Sequence, residues 1–208
     1  MALPLDVLPP AFFPVGLNLV GRRCVVIGQP GDREAGEKEH ALREVGADVV
    51  RVEDVAALRD DDVANAFFVI SAVQDETLSA RLRALADRHK FLLCAIDQPK
   101  FGFVAMAAIV KAGPARIAIS TGGVSPRAGG IMRHALQKAL DATFARFMEC
   151  LAVQRRRNRG RFAESADRRA AMMEAAEGFA LDVHVTYPQW FIDELRTFAP
   201  QPVSRRVN

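Results

Sequence analysis

The amino-acid sequence predicts an α/β protein with a mainly parallel, doubly wound sheet. Three observations support this prediction. Short apolar runs alternate with helix-type segments through the first 126 residues. The helix-type segments carry apolar side chains at helical spacing or end at a glycine. The spacing of the runs fits successive βαβ units, which place their strands side by side in one direction.

Each element is assigned by its local pattern. Five strands are predicted, at residues 23–28, 48–53, 66–72, 91–96 and 115–120. A helix over residues 35–45 is closed by Gly46, a common C-cap residue. A second helix over residues 76–89 has apolar residues at helical spacing, namely Leu78, Leu82, Leu85 and Ala86.

Beyond residue 125 the pattern changes to helix alone. Residues 126–153 are rich in Ala, Leu and Met and contain no proline after the first position, which predicts one extended helix. The basic run Arg155–Arg161 contains Gly160, which predicts a break. Two further helices are predicted, at residues 162–180 and 190–198.

The composition excludes several classes of protein. Half of the 208 residues are apolar, which is enough for a sizeable core. No apolar run reaches the roughly 18 residues that cross a bilayer. The N-terminal segment Met1–Asp6 lacks a basic region and carries an early acid, so no secretory signal is expected. We therefore expect a cytoplasmic protein.

The three cysteines have no metal-ligand spacing. Cys24 and Cys94 lie in apolar, strand-like runs, so we expect buried free thiols in a reducing compartment.

Two strand ends carry the residue types that chemistry needs. The run Ile117-Ala-Ile-Ser-Thr-Gly-Gly-Val-Ser-Pro126 leaves its strand at Ser120 and enters a two-glycine turn. The run Phe91-Leu-Leu-Cys-Ala-Ile-Asp-Gln-Pro99 ends in Asp97. In open α/β sheets, ligands bind outside the carboxyl ends of the strands. The candidate site is therefore expected at these two strand ends, which present an acid and a Ser/Thr/Gly loop.

These segments together resemble a known family. The Asp-x-Pro at Asp97 and the Ser-Thr-Gly-Gly-x-Ser-Pro ending at Pro126, at this separation, are similar to the precorrin-2 dehydrogenase/sirohydrochlorin ferrochelatase family. That family includes the N-terminal module of siroheme synthases. The segment Phe13–Gly28 resembles the start of the same family, and the resemblance covers roughly residues 12–150.

The resemblance implies an architecture and an activity. Residues 1–125 would form a Rossmann-like NAD(P)-binding domain, and residues 126–208 a helical region for dimerisation and closure of a tetrapyrrole cleft. The implied reaction is NAD-dependent oxidation of precorrin-2 to sirohydrochlorin in siroheme biosynthesis, with ferrochelatase activity as a second function of the family. The implied partners are the tetrapyrrole, ferrous iron as a substrate, and a second copy of the chain.

The resemblance and the dinucleotide fingerprint together give the expected cofactor residues, which are Gly28, Gly31, Glu53, Ala72 and Val73. Glu53 ends the second predicted strand, where an acid accepts the ribose hydroxyls of NAD and disfavours a 2′-phosphate. The neighbouring Arg51 favours the opposite choice. A surface acid at the start of a loop is the alternative role of Glu53. Ala72 keeps the small side chain that the family has beneath the cofactor, whereas Val73 replaces its threonine.

The loop Gly28–Gly36 departs from the family's compact triple-glycine turn. Pro30 removes one backbone donor, and Asp32 and Glu34 would lie near an anionic pyrophosphate. Two interpretations stay open. Either the lengthened loop still binds NAD(P), or the loop has kept the fold and lost the nucleotide. In the second case the protein is chelatase-only or handles tetrapyrroles or metals without oxidising them.

Asp97 is the predicted catalytic residue. In the family, the aspartate of this segment is proposed as the acid/base for both dehydrogenation and chelation. A carboxylate that is partly desolvated at a strand end can accept the proton in either reaction. Capping of the turn before Pro99 is the alternative role, and the two roles are compatible.

The expected substrate-binding residues are Ser120, Thr121, Gly122, Gly123 and His134. Hydroxyl and glycine N–H groups of the loop are suited to holding substrate carboxylates. His134 would be a transient iron ligand or proton acceptor, with plain helix surface as the alternative. Ser125 is predicted to be an N-cap with Pro126 at N1. No permanent metal site and no serine or cysteine nucleophile are predicted.

The chain carries a net charge of only +3, and a group of basic residues follows the Ser120–Gly123 loop. They are Arg127, Arg133, Lys138, Arg146 and the Arg155–Arg161 run. The sequence has neither the aromatic pattern of RNA-binding modules nor zinc-finger spacing, so no nucleic-acid partner is expected. A tetrapyrrole with about eight carboxylates would complement such a surface. A solvated helix face is the alternative.

Overall fold

The computed structural model describes residues 12–198. Within them lie six strands, β1 (Arg23–Ile27), β2 (Asp48–Val52), β3 (Phe68–Ser71), β4 (Leu92–Ala95), β5 (Ala108–Ala112) and β6 (Ala115–Ile119). The helices of the described residues are α1 (Arg33–Glu44), α2 (Asp60–Ala64), α3 (Glu76–His89), α4 (Pro126–Ala139), α5 (Ala142–Arg161), α6 (Ser165–Ala175) and α7 (Gln189–Phe198). The segment Met1–Asp6 and the last ten residues of the predicted helical region lie outside the described residues.

The first four strands form one parallel sheet in the order β2-β1-β3-β4. Val25 of β1 pairs with Val50 on one side and with Val69 on the other, and Val69 pairs in turn with Leu93. After β1 the chain adds β2 on one side of it, and then adds β3 and β4 on the other side. The strand order therefore reverses between β1 and β3. The predicted α/β, Rossmann-like class is confirmed.

The sheet is covered on both faces, because β1 is apolar at every one of its last four positions. Cys24 and Val26 pack into a core with α1, whereas Val25 and Ile27 pack into a core with α2 and α3. All four side chains have no exposed surface. A strand that is buried on both faces reads as a continuous apolar run. Burial of a Val or Ile side chain contributes roughly 1.5–3 kcal/mol each.

The cysteines are free, as expected. Cys24 and Cys94 are buried and Cys150 is exposed. Loss of solvent raises the pKa of the Cys94 thiol to about 11 and also raises the pKa of Cys24. Both buried thiols are therefore protonated at neutral pH and serve as small apolar side chains.

The outer edge of β4 is covered by the chain that follows it. The backbone N–H groups of Phe103 and Val104 both donate to the Leu93 carbonyl, at 2.8 and 3.0 Å. Gly102 lies so close that a Cβ placed there would be 3.2 Å from the Leu93 oxygen. The segment before β5 thus lies along the sheet edge.

The predicted strand at 115–120 exists, but it does not join the parallel sheet. It is β6, and it pairs antiparallel with β5, a strand that the sequence pattern did not predict. The physical reason is the two-residue link Gly113-Pro114, in which Gly113 has φ +55°. So short a link can only join antiparallel neighbours. The hairpin packs on α4 through a small core that includes Val110 and Leu140.

The single helix predicted over 126–153 is wrong. The chain breaks at Leu140, which is buried in the hairpin core with 4% of its surface exposed. The Asp141 carboxylate then accepts hydrogen bonds from the N–H groups of Thr143 and Phe144, at 2.9 and 3.0 Å, and begins α5. Gly160 lies in the last turn of α5, and the helix ends one residue later at Arg161.

The chain divides into two compact units between Glu149 and Cys150, within α5. In the second unit the link between α5 and α6 is held by Arg168, whose guanidinium donates to the carbonyls of Phe162 and Ala163. The second unit also contains α7. None of the helices that the structure describes is both long and apolar enough to span a bilayer.

Candidate active site

A groove runs along the carboxyl edge of the parallel sheet, at the point where the strand order reverses. One cleft of about 460 Å³ lies between the loop after β1, at residues 29–32, and the loop after β3, at residues 72–74. A neighbouring cleft of about 560 Å³ is lined by Glu53 after β2 and by Arg81 of α3. Gln29 and Val73 line both clefts. Divergent loops at this switch point are where doubly wound sheets bind ligands.

Four of the five predicted cofactor residues line this groove. Gly31, Ala72 and Val73 lie on the smaller cleft, and Glu53 and Val73 on the larger one. Gly28 lies below the loop, where a Cβ would come within 2.7 Å of the Ala35 Cβ. Its lack of a side chain therefore serves the close packing of α1 against the end of β1.

The N-terminus of α1 is occupied by its own side chain. The Asp32 carboxylate accepts hydrogen bonds from the N–H groups of Glu34 and Ala35, at 2.9 and 3.2 Å. The Glu34 side chain turns to Lys38, with an N–O distance of 3.6 Å. A dinucleotide pyrophosphate normally takes donors at this position, so Asp32 competes for the same N–H groups.

Arg51 stabilises the loop after β1 through hydrogen bonds to its backbone carbonyls. Its Nη2 donates to the carbonyls of Gly28 and Gln29, at 3.1 and 3.0 Å, and its side chain is only 13% exposed. Its Nε lies 3.8 Å from a Glu53 carboxylate oxygen, while the Glu53 side chain is 54% exposed at the cleft. The cation that could have met a 2′-phosphate is thus buried under the loop, and the acid faces the groove.

Asp97 lies at the end of β4 in a left-handed turn. Its φ is +57°, a conformation that Asp adopts more readily than most residues. The turn is closed by the N–H of Gln98, which donates to the Ala95 carbonyl at 3.1 Å. The carboxylate is exposed, in contrast to the partial desolvation that the sequence suggested.

The Asp97 carboxylate binds a residue to which the sequence assigned no role. Gln74 lines the smaller cleft, and its Nε2 donates to Asp97 Oδ2 at 3.0 Å. The only sequence signal for Gln74 was its place, as a polar residue directly after the buried strand β3. The bond links the predicted acid/base to the predicted cofactor groove.

The Ser120–Gly123 loop follows β6 and is stabilised by its own hydroxyl groups. Ser120 Oγ accepts from the Gly122 N–H at 3.2 Å, and Thr121 Oγ1 donates to the Ser125 carbonyl at 3.1 Å. Gly122 and Gly123 have φ values of +60° and +79°. The loop is built as a two-glycine turn against the start of α4.

Ser125 caps α4 by accepting from the Ala128 N–H at 3.1 Å, with Pro126 in the first turn, as predicted. Because β6 belongs to the hairpin, the loop and Asp97 follow strands of different sheets. No hydrogen bond described in residues 12–198 joins them. Strand pairing therefore brings Asp97 to the groove and leaves the predicted substrate loop on the β5–β6 hairpin.

The helix after that loop is basic. Across its 14 residues α4 carries Arg127, Arg133 and Lys138 and no acid, and His134 is exposed on it. The residues that the structure describes contain no group of three or more His, Cys, Asp or Glu side chains able to hold a metal ion.

Comparison with known proteins agrees with this geometry. Residues 15–108 match the family model described as "Putative NAD(P)-binding". The siroheme synthase of Nitrosospira multiformis is 28% identical, with 94% of this chain and 47% of that protein covered. The siroheme synthase of Nitrosococcus oceani is 25% identical, with 80% and 39% covered.

Among solved structures, the precorrin-2 dehydrogenase SirC superposes with a TM-score of 0.62 at 18% identity, covering 80% of this chain and 90% of that one. This similarity shows a shared fold. The chain spans less than half the length of the siroheme synthases it matches.

Proposed function

We propose that this chain is a divergent member of the family formed by precorrin-2 dehydrogenases and the N-terminal module of siroheme synthases, and that it oxidises precorrin-2 to sirohydrochlorin with NAD. The observation that carries the proposal is the juxtaposition at the switch point. A groove suited to a dinucleotide lies next to a carboxylate that Gln74 ties to it.

The residues of the groove fit a nicotinamide dinucleotide. The N–H groups of Gln29 and Gly31 have no acceptor in the described part of the chain, and both residues line the cleft at the end of β1. Small Ala72 leaves room at the end of β3. Glu53, exposed at the end of β2, suits the ribose hydroxyls of NAD, and Arg51 is committed to the loop carbonyls. We therefore assign NAD rather than NADP.

Asp97 takes the proton in this proposal. When bound, NAD+ supplies the acceptor for the hydride that leaves the reduced macrocycle. The same oxidation releases a proton, and Asp97 Oδ1 has no hydrogen-bond partner in the described structure, so it is available to accept that proton. In iron insertion, the same oxygen would take a pyrrole N–H proton while ferrous iron enters as a substrate.

The basic surface suits the substrate. A tetrapyrrole of this class carries about eight carboxylates, and α4 presents three cations and no acid directly after the two-glycine loop. Carboxylates are favoured near the N-terminus of a helix. We assign Ser120, Thr121, Gly122 and Gly123 to the substrate side, together with His134.

A chelatase-only protein is the second candidate, and one observation favours it. Asp32 already fills the donors at the start of α1, where the family's pyrophosphate would bind. If the carboxylate cannot be displaced, the chain would insert iron without a dinucleotide.

A thermal-shift titration with NAD and NADP, followed by an anaerobic assay of sirohydrochlorin formation, tests the proposal. A ligand at a hundredfold excess over its Kd stabilises a protein by about 2.7 kcal/mol, which is readily measured. Stabilisation by NAD together with NADH formation supports the dehydrogenase. Iron insertion without any response to either dinucleotide supports the chelatase.

The assembly is a further part of the proposal. We assign residues 126–208 to dimerisation in a cytoplasmic homodimer. Sedimentation of the full chain, with and without residues 162–208, checks this assignment, and a monomeric full chain would contradict it.

A further inference from the structure

We propose that Gln74 is the residue that positions the Asp97 carboxylate for proton transfer. This inference rests on the proposed function of Asp97 as the base. It adds a residue that no sequence pattern singled out.

The backbone places the two residues at one edge of the sheet. Ser71 and Ala95 are the last paired residues of β3 and β4, and the Ile96 N–H continues the ladder by donating to the Ser71 carbonyl at 2.9 Å. Gln74 and Asp97 follow within three residues of these positions. The strands therefore fix both main chains up to the turn.

The orientation of the Asp97 carboxylate depends on a side-chain hydrogen bond from Gln74. Asp97 is exposed, and in the described structure no backbone N–H donates to its carboxylate. The amide of Gln74 donates to Oδ2 at 3.0 Å and leaves Oδ1 without a partner. One oxygen is thus held and the other is available, which is the arrangement that directional proton acceptance needs.

Gln74 also lines the smaller cleft, so it stands between the proposed cofactor and the base. A near-isosteric change that removes the amide should affect turnover more than dinucleotide affinity, because the hydrogen bond that is lost is to Asp97. We expect Gln74→Met to lower kcat about tenfold, the effect typical of one lost hydrogen bond to a charged group, with the Kd for NAD changed less than about twofold.

A neighbouring ion pair, between the start of α3 and the turn that follows Asp97, provides the control. Lys100, three residues after Asp97, forms an ion pair with Glu76, two residues after Gln74, at 2.7 Å. Glu76→Gln removes that link without touching the Asp97 carboxylate. It should leave kcat unchanged, while an equal loss of kcat in both variants would show that Gln74 merely ties the loops together and would overturn the inference.

The bond also has a signature that does not depend on turnover. In ¹H–¹⁵N spectra of the ligand-free protein, the Gln74 side-chain amide resonances should move on Asp97→Asn and stay in place on Glu76→Gln. Resonances that do not respond to Asp97→Asn would overturn the assignment of the bond.

The two failures are distinguishable. If the parent protein turns over and Gln74→Met equals it in kcat, the positioning role fails and the proposed function stands. If neither the parent nor any variant oxidises precorrin-2, the proposed function fails and the positioning role fails with it.

Discussion

Gly28, directly after β1, contacts Ala35 in the first turn of α1, and a Cβ on Gly28 would lie only 2.7 Å from that of Ala35. Gly28→Ala should therefore destabilise the protein by about 1–3 kcal/mol through overpacking. Gly36→Ala, on the same helix as Ala35, is the matched control, because nothing lies within 4 Å of its Cβ position. It should stabilise by up to about 1 kcal/mol through helix propensity. Urea unfolding of both variants should show a lower free energy of unfolding for Gly28→Ala and a higher one for Gly36→Ala.

The carboxylate that caps α1 should limit dinucleotide affinity. Asp32→Asn keeps an N-cap acceptor and removes the charge, and Glu34→Gln removes the neighbouring charge. The double variant should bind NAD more tightly by about 1 kcal/mol, roughly fivefold, and the gain should shrink with added salt. Calorimetric titration measures the change.

A variant on the same helix controls for net charge. Glu37→Gln removes an acid that pairs with Arg33 at 3.3 Å, one turn beyond the cap. It should leave NAD affinity unchanged. An equal gain with Glu37→Gln would show that the effect is not local to the cap.

Asp97→Asn should abolish oxidation and preserve the fold. The amide cannot accept the proton, and general acid–base groups contribute about 10²–10⁴-fold to rate. Asn tolerates the left-handed φ of +57° at least as well as Asp, so the thermal midpoint should not change. Precorrin-2 turnover and a melting curve check both statements. Normal turnover would leave Asp97 with only a turn-forming role.

Two substitutions at Gly122 separate backbone strain from ligand approach. Its φ is +60°, and a Cβ there meets nothing within 4 Å. Gly122→Val should cost about 1–2 kcal/mol of stability because a β-branched residue resists this conformation. Gly122→Asn should cost little, since Asn accepts it. Both should weaken sirohydrochlorin binding, followed by absorbance, if the substrate approaches this backbone closely. Full affinity in the Asn variant would argue for a purely structural turn.

The ion pair between Glu44 of α1 and Lys111 of β5 should make stability depend on pH. The Lys111 ammonium, as hydrogen-bond donor and as charge, lowers the pKa of Glu44 from its ordinary 4.5. A lowered pKa gives stability that is present above the unfolded value and lost as the pH falls through the folded value. Glu44→Gln should therefore have a lower thermal midpoint than the parent at pH 7 and the same midpoint at a pH where Glu44 is protonated in both states.

A double-variant cycle checks that pair. Lys111→Met should show the same loss at pH 7, and the double variant should lose no more than either single one. Additive losses would mean that the two residues act separately.

The sequence was sufficient for the parallel sheet because its two central strands, β1 and β3, are buried on both faces. Such strands appear in the sequence as continuous apolar runs, and β1 and β3 could be predicted from these runs alone. The sequence predicted β6 as a strand, but it predicted neither β5 nor the antiparallel pairing of the two, since a local pattern gives a strand without its partner. The Gly113-Pro114 link was the available signal, and it decides the antiparallel pairing.

The candidate site divides in the same way. Glu53 and Ala72 could be placed at the groove because strand ends share an edge in any parallel sheet. The Gln74–Asp97 bond could not be, since it depends on a left-handed φ at Asp97 and on two side-chain orientations. The burial of Arg51 under the loop was likewise beyond a pattern argument, because it follows from where the Gly28 and Gln29 carbonyls point.

The segment that lies along β4 protects this edge of the sheet against pairing with a strand of another chain. An open outer strand offers unpaired backbone groups to any other extended chain, and such edges are where sheet proteins aggregate. Here Phe103 and Val104 already occupy the Leu93 carbonyl, and Gly102 allows the approach because it brings no side chain against it. A further strand cannot pair with β4 at this point, so a glycine with no part in the proposed chemistry closes one edge of the sheet.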